Sequence, residues 1–159
     1  MLSRIIAAIV AFFVCLFPFL QKPTFIGWEA TANNLMSAVK ENDIDALEAM
    51  MCKNIKDNVP DLPDEISNML DAIDGEIVDF TWRTMGGYNA NHGGGKSLSQ
   101  KHLIINFTTS NGSYRFGMVW EYYNSFQPEE QGIRNIGLSQ DGNTLALIKA
   151  TNGVGEWHE

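Results

Sequence analysis

The closest match to a chemical motif in this sequence is the segment Ala-Asn-His-Gly-Gly-Gly-Lys-Ser at residues 90–97. A Gly-Lys-Ser ending is typical of a phosphate-binding loop, in which backbone amides at the start of a helix hold the phosphates. That loop needs a strand before it and a helix after it, but residues 98–109 have the alternating pattern of a strand. We therefore interpret residues 86–97 as a glycine-rich loop between two strands, without a nucleotide site.

Metal binding has weak support, because the three histidines, His92, His102 and His158, are far apart in the sequence. A metal site needs several ligands that converge. His92 and His102 would have to face each other across a hairpin and take Asp79 or Glu76 as a further ligand. The simpler interpretation is that they are solvent-exposed loop histidines, so we predict no metal and no cofactor.

The two cysteines, Cys15 and Cys52, do not indicate a disulfide framework. Cys15 lies in an apolar leader, and Cys52 lies in a predicted helix with no histidine nearby in the sequence. Unpaired cysteines are among the most often buried residues. We therefore predict that Cys52 is a small, partly buried apolar side chain rather than a reactive thiol.

Acid–base chemistry has one candidate, Asp79, which shares a strand face with Arg83. An aspartate paired with a tyrosine or histidine in a pocket of the sheet can act as a general base. Arg115 and Glu121 share a strand face in the same way. The alternative for these residues is cross-strand charge pairing on a solvated face of the sheet.

Aromatic residues give the strongest pattern for a binding site. Four of them alternate along one predicted strand and therefore share a face, and a tryptophan lies on an earlier strand. Such a row is often simply part of the core, but a curved sheet lined by aromatics and partly covered by helices also makes an apolar pocket. The predicted ligand-binding residues are Trp82, Tyr114, Phe116, Trp120, Tyr122 and Asp79.

Three amphipathic helices precede the strands. Apolar residues recur at helical spacing in residues 30–40, in residues 44–59 and in residues 63–75, where the last segment begins at a proline and ends at a glycine. Asn42-Asp43 is expected to end the first helix and to cap the second.

After Gly75 the apolar period falls from 3.6 to 2, which predicts an antiparallel sheet. Asn111-Gly112 is a strong hairpin signal, and Asp141-Gly142 is expected to join the last two strands. Helices followed by hairpins predict a single α+β domain over residues 30–159, with the helices packed on one face of a curved sheet. The predicted strands cover residues 76–85, 101–109, 113–123, 132–139 and 144–150.

Residues 5–20 form an apolar run without a charge, directly after Arg4. This order is typical of a secretory signal. As a helix of about 24 Å, the run is shorter than the roughly 30 Å hydrocarbon core of a membrane. Residues 1–29 are therefore predicted to be a cleaved signal peptide or an uncleaved membrane anchor, with lipidation of Cys15 or a buried core helix as lesser alternatives. The protein is expected to be exported.

The charge balance excludes one class of partner. The chain has 11 basic and 19 acidic residues, a net charge of −8. Nucleic-acid binding is excluded because no cluster of lysine or arginine is present to displace phosphate counterions. Adsorption to anionic lipid headgroups is disfavoured for the same reason, so any membrane contact is expected through the N-terminal segment.

Four segments carry a family resemblance: residues 32–40 (ANNLMSAVK), 41–52 (ENDIDALEAMMC), 74–80 (DGEIVDF) and 132–138 (GIRNIGL). Over roughly residues 30–159 the chain is similar to the bacterial family called domain of unknown function 5104. The resemblance implies an exported protein with a cone-shaped, nuclear-transport-factor-2-like α+β fold. The chain lacks the lipobox of many members, and its glycine-rich loop is longer than expected. Because the family has no assigned activity, the resemblance transfers no site residue.

Three functions are compatible with these patterns. The favoured one is a non-enzymatic exported domain that binds a small ligand, a peptide or a protein partner. The second is a structural domain that associates with a second copy through its sheet. The third is a pocket hydrolase or isomerase that uses Asp79 with a tyrosine or histidine of the sheet.

Overall fold

The computed structural model describes residues 26–92 and 95–149, and it has the predicted α+β order. The described residues form four helices followed by five strands. The helices are α1 (Trp28–Glu41), α2 (Ile44–Met50), α3 (Lys53–Asn58) and α4 (Leu62–Asp71). The strands are β1 (Ile77–His92), β2 (Lys96–Thr109), β3 (Ser113–Asn124), β4 (Gly132–Gln140) and β5 (Asn143–Lys149), with a 3-10 turn at Pro128–Glu130.

The predicted leader lies almost entirely outside the described residues. Only its last positions, from Ile26 onwards, are described, and Trp28 already begins α1. Among the helices in the described part of the chain, none is long and apolar enough to cross a membrane.

The strands form one antiparallel sheet in the order β1-β2-β3-β4-β5. The helices cover one face, and on the opposite face, named the open face, no helix of residues 26–92 or 95–149 is placed. The two faces differ in composition because strand residues alternate between them. On the covered face the central cross-strand row is Thr84–Leu103–Met118–Ile136–Ile148. On the open face the neighbouring row is Arg83–Ile104–Gly117–Gly137–Leu147.

The predicted boundary between the first two helices is confirmed. Asn42 adopts a left-handed backbone conformation with φ of 51°, and its amide donates to the carbonyls of Ala38 and Val39. Asp43 then caps α2, since its side chain accepts a hydrogen bond of 2.9 Å from the amide of Ala46. Asparagine and aspartate suit these positions because their short polar side chains compete with the backbone for hydrogen bonds.

The prediction of one continuous helix over residues 44–59 was wrong. Met51 leaves the helix in an extended conformation and forms a parallel bridge to Ile133 at the start of β4. The amide of Cys52 donates to the Ile133 carbonyl at 2.9 Å. Gly132 allows this approach, because a Cβ atom at that position would lie 2.6 Å from the carbonyl oxygen of Met50. A distant strand therefore interrupts a helix that local periodicity favours.

The prediction of a loop over residues 86–97 was also wrong for most of its length. Strands β1 and β2 stay paired from Gly87 opposite Lys101 to His92 opposite Lys96. Glycine and asparagine are poor strand residues, but backbone pairing continues past a bulge between Met85 and Gly87. The result is one long hairpin at the edge of the sheet.

A second bulge changes the predicted faces of β1. It lies between Ile77 and Asp79, where the register with β2 shifts by one residue. Val78 was expected to share a face with Phe80 but is 68 % exposed. A bulge leaves one residue without a partner in the ladder, and here that residue is Val78.

Candidate functional site

The structure divides the predicted aromatic row. Tyr114 and Phe116 are buried, and both rings stack on Phe107, with centroid separations of 5.4 and 5.1 Å. The Tyr114 hydroxyl accepts a hydrogen bond of 3.0 Å from the amide of Asp74. These two rings therefore belong to the core between the sheet and the helices.

Trp82 and Asp79 lie apart from the rest of the predicted site. Trp82 pairs with Ile105 on the covered face of the edge strand β1 and is 38 % exposed. Asp79 lies on the open face, is exposed, and accepts a hydrogen bond of 2.8 Å from the amide of Phe80. Asp79 is therefore exposed on the open face, whereas the Tyr114 ring is buried and its hydroxyl binds the amide of Asp74.

Trp120 and Tyr122, at the end of the row, line a cavity of about 200 Å³. The cavity lies between the covered face of the sheet and the first two helices. Helix α1 contributes Thr31 and Asn34, and the end of α2 contributes Met50. Two aromatic side chains, a methionine and two small polar side chains thus meet at one place, which we name the Trp120 cavity.

Tyr122 is held in place by the first residue of α1. The ring of Trp28 packs edge-to-face on that of Tyr122, with the centroids 5.4 Å apart and an interplanar angle of 80°. The ammonium of Lys101, on the neighbouring strand β2, lies 5.9 Å from the Trp28 ring centroid. Edge-to-face and cation–π contacts are each worth about 0.5–1.5 kcal/mol at sites of this kind. They therefore orient the wall of the Trp120 cavity.

Glu121, between the two aromatic residues, is a fully buried carboxylate that also lines the cavity. It accepts hydrogen bonds from Gln100 Nε2 at 2.8 Å, from Arg134 Nη1 at 2.7 Å and from Asn124 Nδ2. Glu121 thus forms a cross-strand charge pair, as the alternative interpretation expected, but with Arg134 and in a buried position rather than on a solvated face. Arg115 donates through its Nε to Asn106 at 2.9 Å. Buried carboxylates need such partners because the charge is removed from water.

Arg134 reaches Glu121 because of an irregularity in β4. Val119 pairs with Asn135 and Trp120 pairs with Ile133, so Arg134 is the extra residue of a bulge. Bulges redirect side chains and are frequent beside functional sites. Burial opposes the charge of the guanidinium, but the hydrogen bond and the charge of Glu121 outweigh it and raise the pKa of Arg134.

Cys52 is buried next to this network, as predicted. Burial raises the pKa of the Cys52 thiol, and the negative charge of Glu130 raises it further. Glu130 is itself bound to the start of α3, where its Oε2 accepts a hydrogen bond of 3.0 Å from the amide of Asn54. A thiol that is kept protonated and away from solvent is a poor nucleophile.

The remaining motifs are not assembled into sites. Ser97 lies within β2, so a strand and not a helix follows the Gly-Lys-Ser segment. His102 pairs with Met85 whereas His92 pairs with Lys96, which separates the two histidines by about 20 Å along the hairpin. The hypothesis that they face each other was therefore wrong. In residues 26–92 and 95–149, no group of three or more histidine, cysteine, aspartate or glutamate side chains is placed to hold a metal.

Nothing in the sequence pattern indicated that Thr31, Asn34 and Arg134 belong to this region. Thr31 and Asn34 are one helical turn apart, but the helix face that meets Trp120 is set by packing. Glu121 had a signal: it is an acidic residue between two aromatics in a strand that is otherwise almost uncharged. A charge in such a position needs a buried partner.

Fold and cavity together define an α+β domain with a small, mostly apolar cavity between its helices and its sheet. A sequence profile described as domain of unknown function (DUF5104) matches residues 34–141, more than half of the chain. The chain therefore belongs to this family, which confirms the resemblance found in the sequence. No curated protein shows significant similarity to it.

Proposed function

We propose that this protein is an exported, non-enzymatic binding domain with a nuclear-transport-factor-2-like cone, and that its ligand occupies the Trp120 cavity. The observation that carries the proposal is the composition of that cavity. Trp120, Tyr122 and Met50 supply apolar surface, while Thr31 and Asn34 supply hydrogen-bonding groups. Small-molecule sites typically combine apolar walls with a few polar groups that orient the ligand.

The size of the cavity limits the ligand. Its volume of about 200 Å³ is below the roughly 300–1,000 Å³ typical of drug-sized ligands. It exceeds the roughly 150 Å³ of an apolar cavity that holds one benzene molecule. The ligand therefore places one ring-sized group in the cavity, either as a whole small molecule or as one side chain of a peptide.

The hydrogen bonds that Glu121 accepts favour ligand binding over acid–base catalysis as the function of the cavity. The described residues that line the cavity include one carboxylate, that of Glu121. A general base must offer a free oxygen to the proton that it removes. Both oxygens of Glu121 already accept hydrogen bonds, from Gln100, Asn124 and Arg134. Glu121 therefore supports the cavity wall rather than exchanging protons with a ligand.

Export is supported by the sequence of residues 1–29, in which Arg4 precedes an apolar run. The intact mass of the protein from fractionated cells tests this part of the proposal. We expect the protein in the envelope or the medium, with either the full mass or the mass left after loss of the leader. A full-length chain confined to the cytosol would contradict export.

The cavity is tested by filling it. Asn33 and Asn34 are both exposed, but only Asn34 lines the cavity. Asn34→Trp is expected to abolish binding of phenol, used as a ring-sized probe, and Asn33→Trp is expected to leave it unchanged. Binding is followed by the methyl resonance of Met50 in the full chain in detergent.

Two results would contradict a ligand site in the cavity. One is the absence of a saturable shift of the Met50 methyl up to the solubility limit of phenol. The other is an equal loss of binding in both tryptophan variants, since that would show a general effect of the added ring on helix α1.

Self-association through the open face is a second candidate function. Gly117 and Gly137 are cross-strand neighbours there, beside Leu147, which is 51 % exposed. A Cβ atom at Gly117 would have no atom within 4 Å. Strand glycines often mark places where another backbone approaches closely. Light scattering is expected to show a dimer that Leu147→Lys converts to a monomer, and a monomer at every concentration would exclude this function.

A further inference from the structure

The open face carries a second and larger cavity, a groove of about 380 Å³ near the β4–β5 turn. The groove is lined by the cross-strand row Thr81–Asn106–Arg115–Ser139. Asp79 on β1 lies at one side, and Asp141 in the β4–β5 turn lies at the other. The groove shares no lining residue with the Trp120 cavity, so ligand binding in the groove is independent of the function proposed for that cavity.

The described residues that line the groove include one positively charged side chain, that of Arg115. Its Nε donates to Asn106 Oδ1 at 2.9 Å, which holds the guanidinium plane. Among the described residues, no carboxylate forms a salt bridge with it. In a chain with 19 acidic and 11 basic residues, an arginine without an acidic partner is available to an anion. The guanidinium fork matches a carboxylate with two parallel hydrogen bonds.

The two aspartates select the overall charge of the ligand. Asp79 uses one oxygen to accept a hydrogen bond from the amide of Phe80 at 2.8 Å, which leaves the other for a donor. Asp141 is exposed in a left-handed turn conformation with φ of 50°. Two carboxylates on either side of Arg115 repel a polyanion such as a phosphate. A ligand that carries one negative and one positive charge satisfies all three residues.

The rest of the groove offers hydrogen-bonding groups alongside apolar surface. Thr108 and Ser113 add hydroxyl groups, each of which can donate and accept. Phe80, Phe107 and Tyr114 also line the groove, and the rings of Phe107 and Tyr114 stack on each other. Hydroxyl and amide groups of this kind suit the N–H and C=O groups of a peptide backbone, which need partners when they leave water.

We infer that this groove binds a short zwitterionic peptide, with the terminal carboxylate on Arg115 and the terminal ammonium on Asp79 or Asp141. Asp79 and Arg115 are two strands and two residues apart in the register. For a strand spacing of about 4.8 Å and a rise of about 3.3 Å per residue, this places their Cα atoms about 12 Å apart. A spacing of this size suits a ligand whose two charges are separated by a peptide unit.

The test is an NMR titration of the full chain in detergent with L-alanyl-L-alanine, and separately with acetate and ethylamine as its two charged halves. The dipeptide is expected to shift the backbone amide resonances of Asn106, Ser139 and Gly142 until they saturate. Each half is expected to bind at least about tenfold more weakly. Arg115→Gln is expected to weaken dipeptide binding at least about tenfold, and Arg115→Lys less, since lysine keeps the charge but lacks the fork.

Arg83→Gln is the matched control. Arg83 is exposed on the same face but does not line the groove, so this variant is expected to bind the dipeptide within about twofold of the parent. Asn34→Trp, which fills the Trp120 cavity, is expected to have no effect, so failure of one site is distinguishable from failure of the other.

Three results would overturn the inference. The first is acetate binding as tightly as the dipeptide, which would show a plain anion site. The second is an equal loss in the Arg83 and Arg115 variants, which would show a general charge effect. The third is no change in any of the three amide resonances up to the solubility limit of the dipeptide.

Discussion

Breaking the ion pair between Glu121 and Arg134 is expected to destabilise the protein far more than breaking the pair between Lys53 and Asp57. The side chains of the first pair are 0 % and 21 % exposed, whereas those of the second are 51 % and 52 % exposed. Water screens the second pair, and pairs of that kind contribute little. The first pair joins β3 to the bulge of β4, and Glu121 also lines the Trp120 cavity.

The magnitude depends on which partner is removed. Arg134→Met leaves the Glu121 carboxylate buried, with only the neutral donors of Gln100 and Asn124. Removal of one partner of a buried pair lowers the free energy of unfolding by about 3–5 kcal/mol. Because Arg134 is partly exposed, we expect a loss of about 3 kcal/mol. Glu121→Gln leaves an arginine that still reaches water, so the loss is that of charged hydrogen bonds, about 1–3 kcal/mol.

Urea unfolding of the full chain, followed by tryptophan fluorescence and far-UV circular dichroism, measures both changes as shifts of the midpoint at constant slope. A domain with about 5–15 kcal/mol of stability remains folded in each variant. Lys53→Met is the control and is expected to leave the midpoint unchanged. A change below about 1 kcal/mol for Arg134→Met, or a larger effect for Glu121→Gln, would refute the account of this network.

Four further outcomes are expected. The thiol of Cys52, whose pKa burial raises above its ordinary value, should resist a thiol-labelling reagent in the folded protein and react once urea unfolds it; fast labelling of the native state would contradict this. The raised pKa of Cys52 also makes stability depend on pH. The contribution of the protonated thiol to stability is fully present below the pKa of the thiol in the unfolded chain, and it is lost as the pH rises through the pKa of the thiol in the folded chain. Gly132→Ala should destabilise the fold by about 1–3 kcal/mol, because its φ is 133° and an added Cβ would meet the last carbonyl of α2; Gly117→Ala, with open space around it, should not. Tyr114→Phe should lower the free energy of unfolding, measured with urea, by about 0.5–1.5 kcal/mol, because the amide of Asp74 loses its hydrogen-bond acceptor.

Much of the fold was predictable from the sequence because the signals that specify it are local. The change of apolar period after Gly75 separates helices from strands wherever the chain goes afterwards. Asn42-Asp43 ends one helix and caps the next through hydrogen bonds within a few residues. Asp141-Gly142 turns the chain with two positive φ angles, of 50° and 82°, as a two-residue hairpin requires.

The burial of Tyr114 and Phe116 was also implied by alternation, but the pattern did not separate these two core rings from Trp120 and Tyr122, which line the cavity. Residues that share a strand face are divided between core and cavity according to what covers each of them. Helices cover the middle of the row completely, whereas α1 and α2 leave space beside Trp120 and Tyr122. That division depends on the positions of elements that are far away in the sequence.

The sequence by itself therefore determined the kinds of elements, their order and most of the turns, because each depends on residues within a few positions of one another. Only the tertiary structure decided where Met51 leaves its helix to meet Ile133, and that the bulge in β4 turns Arg134 towards Glu121. The tertiary structure also decided that the glycine-rich residues 87–92 extend the β1–β2 hairpin instead of forming a loop. In each case a contact with another strand outweighs a local preference that is worth about 1 kcal/mol or less per residue.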